Sequence, residues 1–143
     1  MPAEIRFLHS KPHGVLIMRL VGNLTAETIF KQLRHFFDPE PALVNSPTIC
    51  DSRLWSGMIF DDELVAHRKW VSDFRDLHGL HCNDLPPVAL LAHSYSGSTM
   101  VTRQFEGFRN QPIGVAFDPE SAWAHLMPHI PLPSDVRKFL ARR

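Results

Sequence analysis

Three short stretches of the chain carry residue types that could do chemistry. In Ala92-His93-Ser94-Tyr95-Ser96-Gly97, an apolar run leads into a helical pattern. Ser94 therefore sits where a nucleophile elbow of the G-x-S-x-G kind would hold its serine, with small residues replacing both glycines. Acyl transfer would also need an acid and then a histidine, and Asp118 with His125 or His129 is the set available in that order. The plainer reading is a strand-to-helix turn whose serines cap the helix. On that reading no catalytic residue is assigned, and Ser94 is kept only as a candidate.

The second stretch, His78-Gly79-Leu80-His81-Cys82-Asn83-Asp84, gathers four potential ligands in seven residues, and His93 could complete a set. The spacing matches no standard zinc pattern, and a polar loop after a helix carries such residues for solvation alone. No metal and no cofactor is expected. In the third, Asp51-Ser52-Arg53 through Trp55-Ser56-Gly57 mixes acid, hydroxyl, cation and aromatic, and it follows an apolar run where open α/β sheets bind ligands. Trp55, Met58, Ile59 and Phe60 make this segment unusually apolar. If exposed it marks an interface; if covered it is a lid on the core.

Composition narrows the function classes. Fifteen Lys and Arg balance fifteen Asp and Glu, so no positive field exists to neutralise phosphates, and nucleic acid is disfavoured. Hydrophobic residues at 44% and charged residues at 21% match folded proteins, not disordered ones. With 143 residues, one domain can bury roughly two thirds of its unfolded surface. The first twenty residues acquire Glu4 and Arg6 early, unlike a secretory leader, and no run approaches the ~20 apolar residues that cross a bilayer. A soluble, cytoplasmic protein is expected, with Cys50 and Cys82 as free thiols.

The elements that would position these stretches follow from periodicity. Ile5 to Leu8 and Gly14 to Val21 read as an antiparallel hairpin turned at Ser10-Lys11-Pro12-His13-Gly14. Thr25 caps a helix with Glu27 in its first turn and Ile29, Phe30, Leu33 and Phe37 on its buried face, stopped by Asp38-Pro39-Glu40-Pro41. A short buried strand from Pro47 ends at Asp51. Asp61 or Asp62 caps a second helix with Leu64, Val71, Phe74 and Leu77 on one face, and Gly79 terminates it. Pro87 to Ala92 is the most continuous apolar strand and should be central, with helices over both faces. A third helix runs from Ser96 to Phe108, Ile113 to Phe117 is the last strand, and Asp118-Pro119-Glu120 starts a helix that buries Ala122, Trp123 and Leu126. A short terminal helix follows Ser134. The order ββαβαβαβαα implies a mixed, largely parallel sheet in a single α/β domain.

The strand into Gly22, the helix from Thr25, the strand Thr48-Ile49-Cys50-Asp51, the strand Val88 to Ala92, and Phe117-Asp118-Pro119-Glu120-Ser121-Ala122 before a Trp/Leu helix together resemble the SpoIIAA-like, or STAS-like, superfamily. The resemblance spans about Gly14 to Leu126. It implies helices packed on a mixed sheet, and relatives that include anti-sigma-factor antagonists switched by serine phosphorylation and a related fold that carries lipids. In the antagonists the strand-ending Asp is followed by Asp-Ser-Ser-Gly or Asp-Thr-Ser-Gly at the next helix. Asp51 matches the first acid, but the later position reads Asp61-Asp62-Glu63 without a serine. The chain thus looks like the broad branch of such proteins without assigned activity.

The favoured reading is a non-catalytic interaction or regulatory module whose contact loop holds Asp51, Ser52, Arg53, Trp55 and Phe60. Its partner is an unidentified protein, with a second copy of the chain kept open. The alternative is a binder of a small apolar ligand or lipid, which an enclosed cavity between Phe60, Phe74 and Phe105 would favour. Serine hydrolysis at Ser94 comes third.

Overall fold

The hairpin forms first along the chain, as β1 (Glu4–Ser10) and β2 (Val15–Gly22), paired antiparallel in register from Glu4 opposite Val21 to Ser10 opposite Val15. The structure is a computed structural model that describes residues 3–82, 84–93 and 112–141. Helix α1 (Ala26–Phe37), a 3-10 turn (Pro41–Asn45), β3 (Thr48–Trp55), α2 (Asp61–Leu77), β4 (Val88–Leu91), β5 (Ile113–Ala116), α3 (Pro119–Leu126) and α4 (Ser134–Phe139) follow. The helix expected from Ser96 to Phe108 lies outside the described residues.

One five-stranded sheet runs β1-β2-β3-β4-β5, antiparallel at its first pair and parallel thereafter. Alternation along the inner strands explains why both faces need cover. Leu16, Met18 and Leu20 of β2, with Val88 and Leu90 of β4, face α1 and α2, where Ile29, Leu33, Phe37, Val71 and Phe74 close one core. Val15, Ile17, Ala89 and Leu91 face the other way, onto Ala122, Trp123, Leu126, Val136 and Leu140. The β4 strand is an interior strand buried on both faces, as expected, although β3 is the middle one. Among the described residues no helix is long and apolar enough to cross a membrane.

Local chemistry sets the helix ends. The Thr28 amide donates to Thr25 Oγ1 at 3.2 Å, capping α1. Helix α2 closes at Gly79, whose φ of +66° lets the amides of Gly79 and Leu80 donate back to the carbonyls of Asp76 and Arg75 in a Schellman arrangement. Two expectations need correction at α2. Its N-cap is Phe60, not Asp61 or Asp62, because Glu63 Oε1 accepts the Phe60 amide at 3.0 Å and draws the first turn forward. Leu77 is 78% exposed rather than on the buried face. It sits in the last turn, and the chain closes under the helix through Leu80 instead, which packs against the core.

Candidate functional site

The third strand does not end at Asp51. It continues to Trp55, so Asp51, Ser52 and Arg53 belong to a buried strand and not to a loop. The expectation failed because three polar residues in a row normally mark the end of a buried strand, and here each has an internal partner. Arg19 pairs with Asp51 but Val21 pairs with Leu54, so β3 holds one extra residue at this point, a bulge beside β2. The Arg53 amide donates to Asp51 Oδ1 at 3.0 Å, which satisfies a group the bulge displaces.

Asp51 is fully buried. Arg53 binds it in bidentate fashion, Nε to Oδ1 at 3.0 Å and Nη2 to Oδ2 at 3.1 Å, while Arg19 Nε approaches Oδ2 at 3.2 Å as an ion pair without hydrogen-bond alignment. Two cations on one carboxylate leave a surplus positive charge, and the end of α4 meets it: Arg19 Nη1 donates to the Phe139 carbonyl at 2.8 Å and Arg53 Nη2 to that of Leu140 at 2.5 Å. Helix carbonyls at a C-terminus carry partial negative charge and lack intrahelical partners, so both sides are served. Burial lowers the affinity of the Arg19 guanidinium for its proton, and Asp51 opposes that. Ser52 Oγ donates to the Leu91 carbonyl at 3.3 Å.

From Trp55 onward the chain leaves the sheet. Half-buried Trp55 donates from Nε1 to the Leu24 carbonyl at 3.0 Å. Gly57 passes so close that a Cβ there would overlap the Leu24 carbonyl oxygen and stand 2.5 Å from Trp55 Nε1, so only glycine fits. Ile59 is buried, whereas Met58 is 55% and Phe60 61% exposed. The segment is therefore half lid and half exposed apolar surface. Phe74 lies deep beside Trp70, their rings 4.7 Å apart and stacked, and Phe105 is outside the described residues.

The other candidates separate in space or in the chain. Ser94 lies outside the described residues. Asp118 is engaged as a cap, its Oδ1 accepting the Ser121 amide at 2.8 Å and its Oδ2 the Ser121 hydroxyl at 2.9 Å. The His125 ring packs at Gly114, and His129 is exposed. In the histidine-rich stretch, His78 packs on Phe74 at 4.5 Å, His81 Nδ1 stands 3.7 Å from Asp76, and Cys82 lies 3.8 Å from Asn45 Oδ1. Among the described residues no three His, Cys, Asp or Glu converge in a metal-binding group.

Neither a protein-family model nor a curated protein matches the chain. A search of solved structures does find similarity, to an uncharacterised protein of the DUF3478 family from Shewanella loihica PV-4, described as having a SpoIIAA-like fold. The match has a TM-score of 0.54 and 20% identity, over 87% of this chain and 93% of that one. The fold is SpoIIAA-like.

Sequence reasoning passed over Arg19 and His67. Arg19 had a readable signal: a lone cation in the apolar strand Val15–Gly22 demands a buried counter-charge, and Asp51 is directly opposite it. His67 falls on the stripe Leu64, His67, Val71, Phe74 of α2 and so faces inward. Burial first, then Arg34 and Arg68, holds its pKa down to about 3, which keeps the imidazole neutral.

Proposed function

We propose that this chain is a non-catalytic interaction module of the cytoplasm, a single SpoIIAA-like domain that binds a partner protein through the segment from Trp55 to Phe60. The observation that carries the reading is the exposure of Met58 and Phe60 on either side of buried Ile59, at the carboxyl end of β3. Apolar side chains held outward on a rigid frame suit insertion into a partner's pocket. Rigidity comes from Trp55 clasping the Leu24 carbonyl and from Gly57 packed against both. Asp51, Ser52 and Arg53 serve the surface from inside, by holding the end of β3. Acids follow directly at Asp61, Asp62 and Glu63, so a matching partner offers an apolar pocket with a basic rim.

A photo-crosslinking phenylalanine analogue at position 60, expressed in the native host, tests this. One protein species should be captured, and capture should fall with added salt and disappear in Met58→Asp of unchanged melting temperature. No adduct, or an adduct that persists unchanged in Met58→Asp, overturns the reading.

A further inference from the structure

Helices α1 and α2 do not close fully on each other. Between them runs a groove of about 450 Å³, within the range of small-molecule sites. On the α1 side it is lined by Glu27, Lys31, Arg34 and Asp38, one face of the helix at its natural spacing, and on the α2 side by Ala66 and His67. Beneath it, between the helices and the sheet, lies a smaller, mostly apolar cavity of about 100 Å³ bounded by Leu16, Met18, Leu33 and Val71, with Ser46, Thr48 and Arg75 also in its wall. Phe30 and His67 line both spaces, their rings stacked at 4.1 Å with planes 8° apart. These two rings separate the groove from the cavity.

His67 Nδ1 is buried and has no hydrogen-bond partner among the described residues. A buried polar atom left unpaired is a standing cost, and folded proteins rarely keep one without a use. The stack of Phe30, His67 and Trp70 fills the His67 site with ring contacts that a phenylalanine would make as well, so packing does not explain the nitrogen. Lys31 and Arg34 line the same groove as His67. Arg34 lies over the Trp70 ring at 5.1 Å, an arrangement that uses the face of the guanidinium and leaves its N–H edges for an anion. Of the acids at the groove, Glu63 is engaged by the Phe60 amide, and Glu27 and Asp38 stand at opposite ends of α1. Lys31 and Arg34 stand mid-groove, each one helical turn from an acid, Glu27 or Asp38, and the space below is mostly apolar.

We propose that this groove binds a small carboxylate carrying a short apolar chain, with the carboxylate at Lys31 and Arg34 and the chain entering the cavity by parting the Phe30–His67 stack, which uncovers His67 Nδ1–H to donate to the carboxylate. Size selects the chain. An apolar cavity of ~150 Å³ takes up benzene, so about 100 Å³ accommodates a few carbons and excludes a diacyl lipid. The site lies on the α1–α2 face, adjoins the Met58–Phe60 surface only at Glu63, and stands independently of the partner-binding reading.

Titration of the isotope-labelled full chain with sodium hexanoate, followed by amide correlation spectra, tests it. Saturable shifts are expected on α1 and α2 and at Phe30 and His67. Hexylamine should produce none at these positions, and acetate should bind more weakly than hexanoate. The exposed pair Lys31→Met with Arg34→Met should weaken hexanoate binding by about tenfold, the worth of a lost charge-assisted contact, with the melting temperature unchanged. His67→Phe, which keeps the ring stack, should also weaken binding. Non-saturable shifts, equal binding of hexanoate and hexylamine, or unchanged affinity in the double variant would overturn the proposal.

Discussion

Arg53 donates from Nη2 to the carbonyl oxygen of Leu140, 87 residues further along the chain. The same guanidinium is held in bidentate contact by Asp51, and Arg19 does for Phe139 what Arg53 does for Leu140. A single buried carboxylate in β3 thus orients two cations, and these fasten the last turn of α4 over the sheet. Removing Asp51 would leave both guanidiniums buried without a counter-charge, and uncompensated buried charges are expensive, about 3–5 kcal/mol when one partner of a pair is deleted. Asp51→Ala should therefore lower the melting temperature by on the order of 10 °C. Amide hydrogen exchange in Ser134–Phe139 should accelerate more than that in α1. A loss no larger than that of an exposed substitution would show that the cluster does not hold the helix.

His67 gives stability a pH dependence of known sign. Its pKa is held at about 3 in the folded chain against an ordinary 6.5, so between these values the unfolded chain binds one proton more. Stability therefore rises with pH through that window and is lost as pH falls below 6.5, by at most about 1.4 kcal/mol per pH unit. Because the residue is half-buried overall, solvent trims this slope. Urea unfolding at a series of pH values should show the decline, and His67→Phe should flatten it. An equal decline in the variant would assign the effect to other groups.

The two cysteines should differ in reactivity. Cys50 is wholly buried in β3, where desolvation and then the Asp51 charge push its pKa up to about 12, so almost no thiolate forms at neutral pH. Cys82 is half-buried in the loop after α2. Iodoacetamide should add once to the native chain, at Cys82, and twice in denaturant, as read by intact mass. A second adduct under native conditions would mean that β3 opens locally.

Where local chemistry decided an element, the sequence was legible. Thr25 and Asp118 announced their helices because a cap needs only a short polar side chain beside a periodic apolar stripe, and Gly79 announced an end because a positive φ excludes most other residues. Where long-range pairing decided, it was not. Asp51-Ser52-Arg53 looked like the close of a strand, since nothing within that segment reveals Arg19 in one neighbouring strand, Leu91 in another and Leu140 in the last helix. The contact segment was half legible. Its apolar composition flagged Trp55 to Phe60, but which side chains turn outward depends on Gly57 lying against Leu24, a contact made across the fold. The groove was not legible at all, because a cavity between two helices has no signature in either.

Asp118 separates a structural acid from a catalytic one. Both of its carboxylate oxygens are engaged by Ser121, one by the amide and one by the hydroxyl, so it closes the first turn of α3. Pro119 occupies the first helical position, where a missing N–H costs nothing and the ring presets φ. The helix so started buries Trp123, whose Nε1 donates to the Ile130 carbonyl at 2.9 Å and fixes the chain beyond the helix as well. Losing a cap of this kind to alanine costs about 1 kcal/mol, so Asp118→Ala should lower the melting temperature by roughly 3 °C. Asp118→Asn should retain most of that stability, since asparagine caps nearly as well as aspartate. Capture from position 60 should continue in Asp118→Ala at temperatures where the domain is folded. If Asp118→Ala instead melts unchanged while partner capture or hexanoate binding is lost, the side chain serves a ligand and not the helix, and the acid would again be free to act beside a serine.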